Sequence, residues 1–232
     1  MKKLLLLGVI CTSLMFPKLS VAQDFEDQMG AWYMYFFSKK SNNTNWGFQG
    51  DIQYRNWDYG GDLEQLLLRA GISYDLKRTG SRITFGYGNI TSGEFGEGNS
   101  TSGESRIYQE LLHPYTLGDR FFFTHRLRFE QRWVQNQDPR TRYRYALFLN
   151  VPLNSLVMGK DVLYLAFYDE LFINGQREIG DGRTVNIFDR NRAYAALGYQ
   201  FASNMKVQLG IMQQALPNTA KNQIQLSLHH SF

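Results

Sequence analysis

Arginine recurs at every second position along several stretches of this 232-residue chain, and that spacing is where chemistry could lie. Arg55, Arg69, Arg106, Arg126, Arg128, Arg132, Arg142, Arg144 and Arg192 all occupy one parity of alternating polar and apolar runs. Acids on the same parity are fewer: Asp51, Asp75, Glu110, Glu130 and Glu170. A turn centred on Gly118-Asp119 would set Glu110 opposite Arg128 and Arg106 opposite Arg132, with Glu130 between them. Such residues can do two things. Guanidinium forks match carboxylates in cross-strand pairs that stiffen a sheet. Arginines in excess of carboxylates draw anions into a polar groove or pore.

The four histidines are the other candidates for chemistry. His113 and His125 are expected to face each other across one hairpin on the opposite, apolar parity, together with Gln109 and Gln131. His229 and His230 stand at the chain end. A histidine base needs a nucleophile within reach, and we expect no serine beside His113 or His125, so no catalytic residue is assigned. The segment 93–104 carries Glu94, Glu97 and Glu104 among Gly, Ser, Thr and Asn, but it lacks the ligand alternation of a calcium loop, and we expect no metal. Its glycines precede no helix, so no nucleotide fingerprint forms and no cofactor is implied.

The elements that position these side chains are strands. Trp46, Phe48, Ile52 and Tyr54 alternate with Gln49, Asp51, Gln53 and Arg55. Comparable period-two runs cover 65–75, 121–133, 142–151, 192–201, 205–211 and 222–232. Weaker strands are expected at 31–38, 83–90, 106–114 and 162–173. The runs reach about ten to twelve residues, beyond the usual five or six of globular sheets and close to what a tilted strand needs to cross a bilayer. Trp46, Trp57, Trp133 and Tyr143 lie near strand ends, where interfacial aromatic girdles sit.

The two ends of the chain add a compartment. Lys2 and Lys3 precede an apolar run from Leu4 to Phe16, followed by the small residues Ser20, Val21 and Ala22. This layout predicts a signal peptide over 1–22, cleaved after 22 or 23, because the run is too short for a membrane anchor. The single barrel domain is then 23–232. Cleavage removes Cys11, the sole cysteine, and Lys2, Lys3 and Lys18, leaving 22 basic against 21 acidic side chains. Near-neutral charge excludes a basic nucleic-acid-binding surface. At the other end, strict alternation stops on Phe232. That ending is expected of an outer-membrane barrel whose last strand closes the sheet, with Phe232 as the terminal signal for barrel assembly. With Phe232 on the periplasmic side, connections 203–204, 155–161, 118–120, 77–82 and 40–45 share that side. Connections 217–221, 175–190, 136–141, 92–105 and 58–63 face outward, and they include the two longest.

The string from Trp46 to Trp57, Glu130-Gln131-Arg132, the run from Arg140 to Ala146, and Phe188-Asp189-Arg190-Asn191-Arg192 resemble a bacterial outer-membrane family known only as domain of unknown function 2490. The resemblance covers essentially the whole chain after the signal peptide. It implies a transmembrane β-barrel and carries over no activity and no site residue.

The expected fold is therefore all-β, a transmembrane antiparallel up-and-down barrel. Eleven strands are countable, whereas single-chain bacterial barrels close with an even number. We expect twelve, with a further strand near 24–29, or ten if 31–38 does not span. The expected function is a narrow porin-like channel in the Gram-negative outer membrane, its lumen lined by the nine arginines with Glu110, Glu130 and Glu170 and favouring small anionic solutes. Its partners would be membrane lipids, lipopolysaccharide and the barrel-assembly machinery. The alternatives are a closed structural barrel binding a partner through loops 92–105 and 175–190, or a lipid-modifying enzyme.

Overall fold

The computed structural model describes residues 29–96, 98 and 100–232. The expected signal peptide, the expected strand near 24–29 except for Met29, and Glu97 lie outside the described residues. The strands are β1 (Gly30–Lys40), β2 (Trp46–Asn56), β3 (Leu63–Leu76), β4 (Ser81–Gly93), β5 (Thr101–Leu117), β6 (Phe121–Val134), β7 (Arg140–Pro152), β8 (Val162–Asn174), β9 (Phe188–Ala202), β10 (Met205–Ala215) and β11 (Ala220–Ser231). No helix occurs among the described residues.

Each strand pairs antiparallel with the next, and β1 closes the sheet against β11 into a barrel. The closing pair is parallel, running from Gly30 opposite Gln223 to Ser38 opposite Ser231. This corrects the expectation of twelve or ten strands and of a wholly antiparallel sheet. The stretch at 31–38 is a full strand. An odd number of up-and-down strands makes the first and last run in the same direction, so closure without an extra strand must be parallel. Both edges of the seam are thereby paired, which leaves no open position for a twelfth strand. Side chains reinforce it. Tyr35 Oη lies 3.0 Å from His230 Nδ1, Phe36 stacks on His229 with ring centroids 4.7 Å apart, and the Phe232 amide donates to the Ser38 carbonyl at 2.8 Å.

Alternation along each strand sorts side chains inward or outward, and here the sorting is the reverse of a soluble barrel. Asp51, Arg69, Arg106, Glu130, Arg142 and Gln225 are buried inside, whereas Phe48, Ile72, Phe85, Leu127, Leu197 and Ile211 are exposed outside. Trp32, Tyr164, Ala166, Tyr194, Ala196 and Met212 form an apolar cluster that fills part of the interior. Two glycines make room for large rings there. A Cβ at Gly198 would sit 2.3 Å from the Tyr164 ring, and one at Gly86 would sit 2.3 Å from that of Tyr108.

Connections 41–45, 77–80, 118–120, 153–161 and 203–204 share one end of the barrel, and 57–62, 94–100, 135–139, 175–187 and 216–219 share the other. The second set includes the longest connection, 175–187. It carries the small bridge Glu178–Thr184 and leans on its neighbour: the Asp138 amide donates to the Ile179 carbonyl at 2.9 Å, and Arg183 donates to the Asn136 carbonyl. The hairpin of β4 and β5 reaches farther than apolar alternation predicts, pairing as far as Gly93 with Thr101. Ser, Thr and Gly continue a backbone ladder without an apolar pattern to announce it.

Candidate functional site

Strands β2, β3 and β5 to β9 carry the charged interior, because their inward positions hold arginine or a carboxylate in consecutive rungs. Direct cross-strand partners make the simplest pairs. Arg69 lies opposite Asp51 and donates to it from Nη2 at 2.9 Å, and Arg128 lies opposite Glu110 and donates from Nε at 2.8 Å. Arg126 reaches Glu170 at 2.6 Å, and Arg144 reaches the same carboxylate from Nε at 2.8 Å. Glu130 accepts from Arg142 Nη2 and from Arg144 Nη1, each at 2.7 Å, and Arg142 Nη1 continues to Asp189 at 2.8 Å. The result is one ladder of alternating charge from Glu110 to Asp189. Arg106 and Arg132 stand directly opposite each other, an unfavourable rung by itself. Glu104 bridges them, accepting from the Nε of each at 2.5 Å.

Two of these arginines meet no carboxylate. Arg55 donates to the side-chain oxygens of Gln53 (2.6 Å) and Gln65 (2.8 Å), and Arg192 donates from Nε to Gln214 at 2.8 Å. Arg192 lies opposite Glu170 in the ladder, but Glu170 is turned to Arg126 and Arg144. Both uncompensated guanidiniums rest on Trp32, their Cζ atoms 3.7 Å (Arg55) and 4.8 Å (Arg192) from its ring centroid, and Arg192 also lies 4.8 Å from Phe172. Cation–π contact supplies part of the stabilisation that a counter-ion would.

Among the described residues, cavities lie toward each end of the barrel. A cavity of about 160 Å³ toward the long-loop end is lined by Arg55, Arg69, Arg106, Arg132, Arg142, Arg144, Arg190 and Arg192, with Glu104 as its one acid. A second, of about 450 Å³, lies at the short-turn end beside Lys40, Asp75, Arg82 and Thr124. Strand positions show what separates them. On β5, Glu104 and Arg106 line the first and Leu112 the second, with buried Tyr108 and Glu110 between; on β6, Arg128 and Glu130 occupy the same layer.

All twelve charged residues expected to line the interior point into it: Arg55, Arg69, Arg106, Glu110, Arg128, Glu130, Arg132, Arg142, Arg144, Glu170 and Arg192 are buried, and Arg126 is partly so. Sequence reasoning missed Glu104, which belongs to β5 and not to a loop. It also missed Asp189 and Glu64. Alternation places both on the outward parity, but the register shifts at each, between Arg55 and Asn56 on the strand paired with β3 and between Phe172 and Ile173 on that paired with β9. A bulge turns its extra residue across the sheet. Glu64 thereby accepts from Trp32 Nε1 at 2.9 Å and from Lys221.

The outward histidines acquire a partner that sequence did not predict. His113 and His125 are cross-strand neighbours with no register shift at Pro114. Ser81 Oγ lies 2.8 Å from His113 Nδ1, and Tyr145 Oη lies 2.9 Å from His125 Nδ1. The expectation of no adjacent serine is thus corrected: Ser81 comes from the neighbouring hairpin, 32 residues away. The pair still falls short of an activated nucleophile. Ser81 is 5% exposed, and no carboxylate or amide hydrogen-bonds either histidine among the described residues. At the chain end His229 bonds to Ser227 and His230 to Tyr35. No group of three or more metal-ligating side chains occurs among the described residues.

The model of the family described as "Protein of unknown function (DUF2490)" matches residues 29–225. The chain belongs to this family. The match begins one residue before β1 and ends within β11, so the DUF2490 unit here is the barrel itself. No curated protein and no solved structure matches the chain.

Proposed function

We propose that this DUF2490 protein is an integral outer-membrane β-barrel that offers small anionic solutes a narrow, arginine-lined path. Support for the membrane comes from the reversed distribution of side chains: charged residues fill the interior, and large apolar side chains dominate the outward face. Exposing that surface to water would cost about 25 cal/mol per Å², whereas lipid accepts it. Strands of 11 to 17 residues are long enough to cross a bilayer when tilted. The signal peptide expected at 1–22 would deliver the chain across the inner membrane, and Phe232 at the closing seam would serve the assembly machinery. The long-loop end would face the medium and contact lipopolysaccharide, and the short-turn end the periplasm.

The observation that carries the anion preference is the cavity lined by eight arginines and one glutamate. A solute entering from the loop end meets positive charge in a low-dielectric enclosure, where electrostatic attraction is far stronger than in water. The buried layer of Tyr108, Glu110 and Arg128 narrows the path, so conductance is expected to be small. That same layer favours a second reading, a closed barrel that holds its ion network for rigidity and works through its loops. Reconstitution into planar bilayers tests both. A small current with chloride favoured over potassium is expected; cation selectivity sinks the proposal, and no current favours the closed barrel.

A further inference from the structure

We infer that the 160 Å³ cavity is a discrete binding site for one compact, multiply charged oxyanion of the phosphate or sulfate class. This deepens the anion-path reading and rests on it. Three observations converge. The first is charge. Carboxylates hydrogen-bonded to the lining arginines are Asp51, Glu104, Glu130, Glu170 and Asp189, five against eight, and Glu130 and Glu170 also serve Arg128 and Arg126 outside the lining. At least three positive charges are therefore uncompensated in an enclosed space, a surplus that one multivalent anion would offset.

The second is the set of free donors. Arg69, Arg106 and Arg132 each bind their carboxylate through Nε and Nη2, so the Nη1 of each has no hydrogen-bond partner among the described residues. Arg192 uses only Nε, which leaves both of its terminal nitrogens free. These donors belong to β3, β5, β6 and β9, and they line one cavity from different sides of the barrel. A tetrahedral oxyanion presents four oxygens in four directions and can engage such a set. A planar monocarboxylate offers two, and chloride has no directional acceptors. Guanidinium groups also bind phosphate-type oxygens more strongly than neutral donors do.

The third is size and lining. The volume is roughly ten times what one buried water requires, enough for a tetrahedral anion with a few waters. Only Leu67 and Phe172 contribute apolar side chains, so the lining is almost wholly polar and cationic, as a compact inorganic anion requires. Gln53, Gln65 and Gln214 hold Arg55 and Arg192 in place through neutral oxygens, which fixes their orientation without cancelling their charge.

Calorimetric titration of the purified detergent-solubilised protein with inorganic phosphate, at constant chloride, tests the site. Saturable binding of one phosphate per barrel is expected, with sulfate competing. Arg192→Gln and Arg132→Gln are each expected to weaken it by about tenfold or more, the loss of one charge-assisted contact. Both variants should fold, because Arg192 meets no acid and Glu104 keeps Arg106. Lys160→Gln, in an exposed turn, should leave binding unchanged. Absence of phosphate binding, or affinity unaltered in both arginine variants, overturns the site. The two proposals fail separately: anion-selective current without phosphate binding removes the site and keeps the path, and binding without current does the reverse.

Discussion

At the scale of single residues the interior is a problem of unequal numbers. Each buried guanidinium has lost its hydration, and the protein returns hydrogen bonds through too few carboxylates, so most acids serve two arginines. Glu130 shows the consequence. It is 1% exposed and accepts from Arg142 and Arg144 at once. Glu130→Gln keeps the shape and removes the charge, leaving Arg142 with Asp189 and Arg144 with a share of Glu170 as their remaining acids. A loss of about 3–5 kcal/mol of stability is expected, read as a lowered urea midpoint by tryptophan fluorescence in detergent. Arg140→Gln is the contrast. Arg140 has Nε and Nη1 without partners, and its removal should be close to neutral or slightly stabilising. Equal effects from the two variants would refute the view that paired charge holds the interior.

At the scale of elements the seam and the bulges decide what the strands can do. The parallel junction of β1 and β11 sets every other strand's direction relative to the chain ends, and it places Met34 beside Ser227. A Met34→Cys, Ser227→Cys double variant is expected to form a disulfide on mild oxidation, since adjacent strands hold Cα atoms within bonding range. Failure to cross-link, with the barrel folded by its gel mobility, would show that another strand separates β1 from β11. The bulges have a different effect. Without them Glu64 and Asp189 would point outward into the apolar surface; with them, Glu64 meets Lys221 and Trp32, and Asp189 meets Arg142. Deciding where an extra residue enters a ladder depends on the partner strand's length and twist.

At the scale of the whole molecule, the proposed orientation rests on connection lengths once the barrel closes. Connections 41–45, 77–80, 118–120, 153–161 and 203–204 lie with Phe232 at one end, and loop 175–187 lies at the other. In intact cells a cysteine replacing Arg177 is expected to react with a membrane-impermeant maleimide, and one replacing Arg120 only after the outer membrane is opened. The opposite pattern would invert the barrel, and protection of both sites would argue against surface exposure of the long loops. The measurement is clean because the sole natural cysteine is Cys11.

Much of this is legible in the sequence. Period-two alternation located β1 to β11 within a few residues, and counting back from Gly118-Asp119 paired Glu110 with Arg128 and His113 with His125. Strand period and hairpin register are local properties, so the order of residues determines them. It likewise determined which arginines share a face. Three things required the tertiary structure. Closure joined segments nearly two hundred residues apart and made an odd barrel with a parallel seam. Bulges brought Glu64 and Asp189 to partners that alternation denies them, and pairing between neighbouring hairpins set Ser81 beside His113. Above all, alternation is symmetric between inside and outside: the expectation of inward charge borrowed from the two chain ends, whereas the closed barrel has the charge within and the apolar side chains without. A sheet can curl toward either face. The side on which eight arginines and a glutamate enclose a cavity is a fact about the curl, decided by how all eleven strands pack.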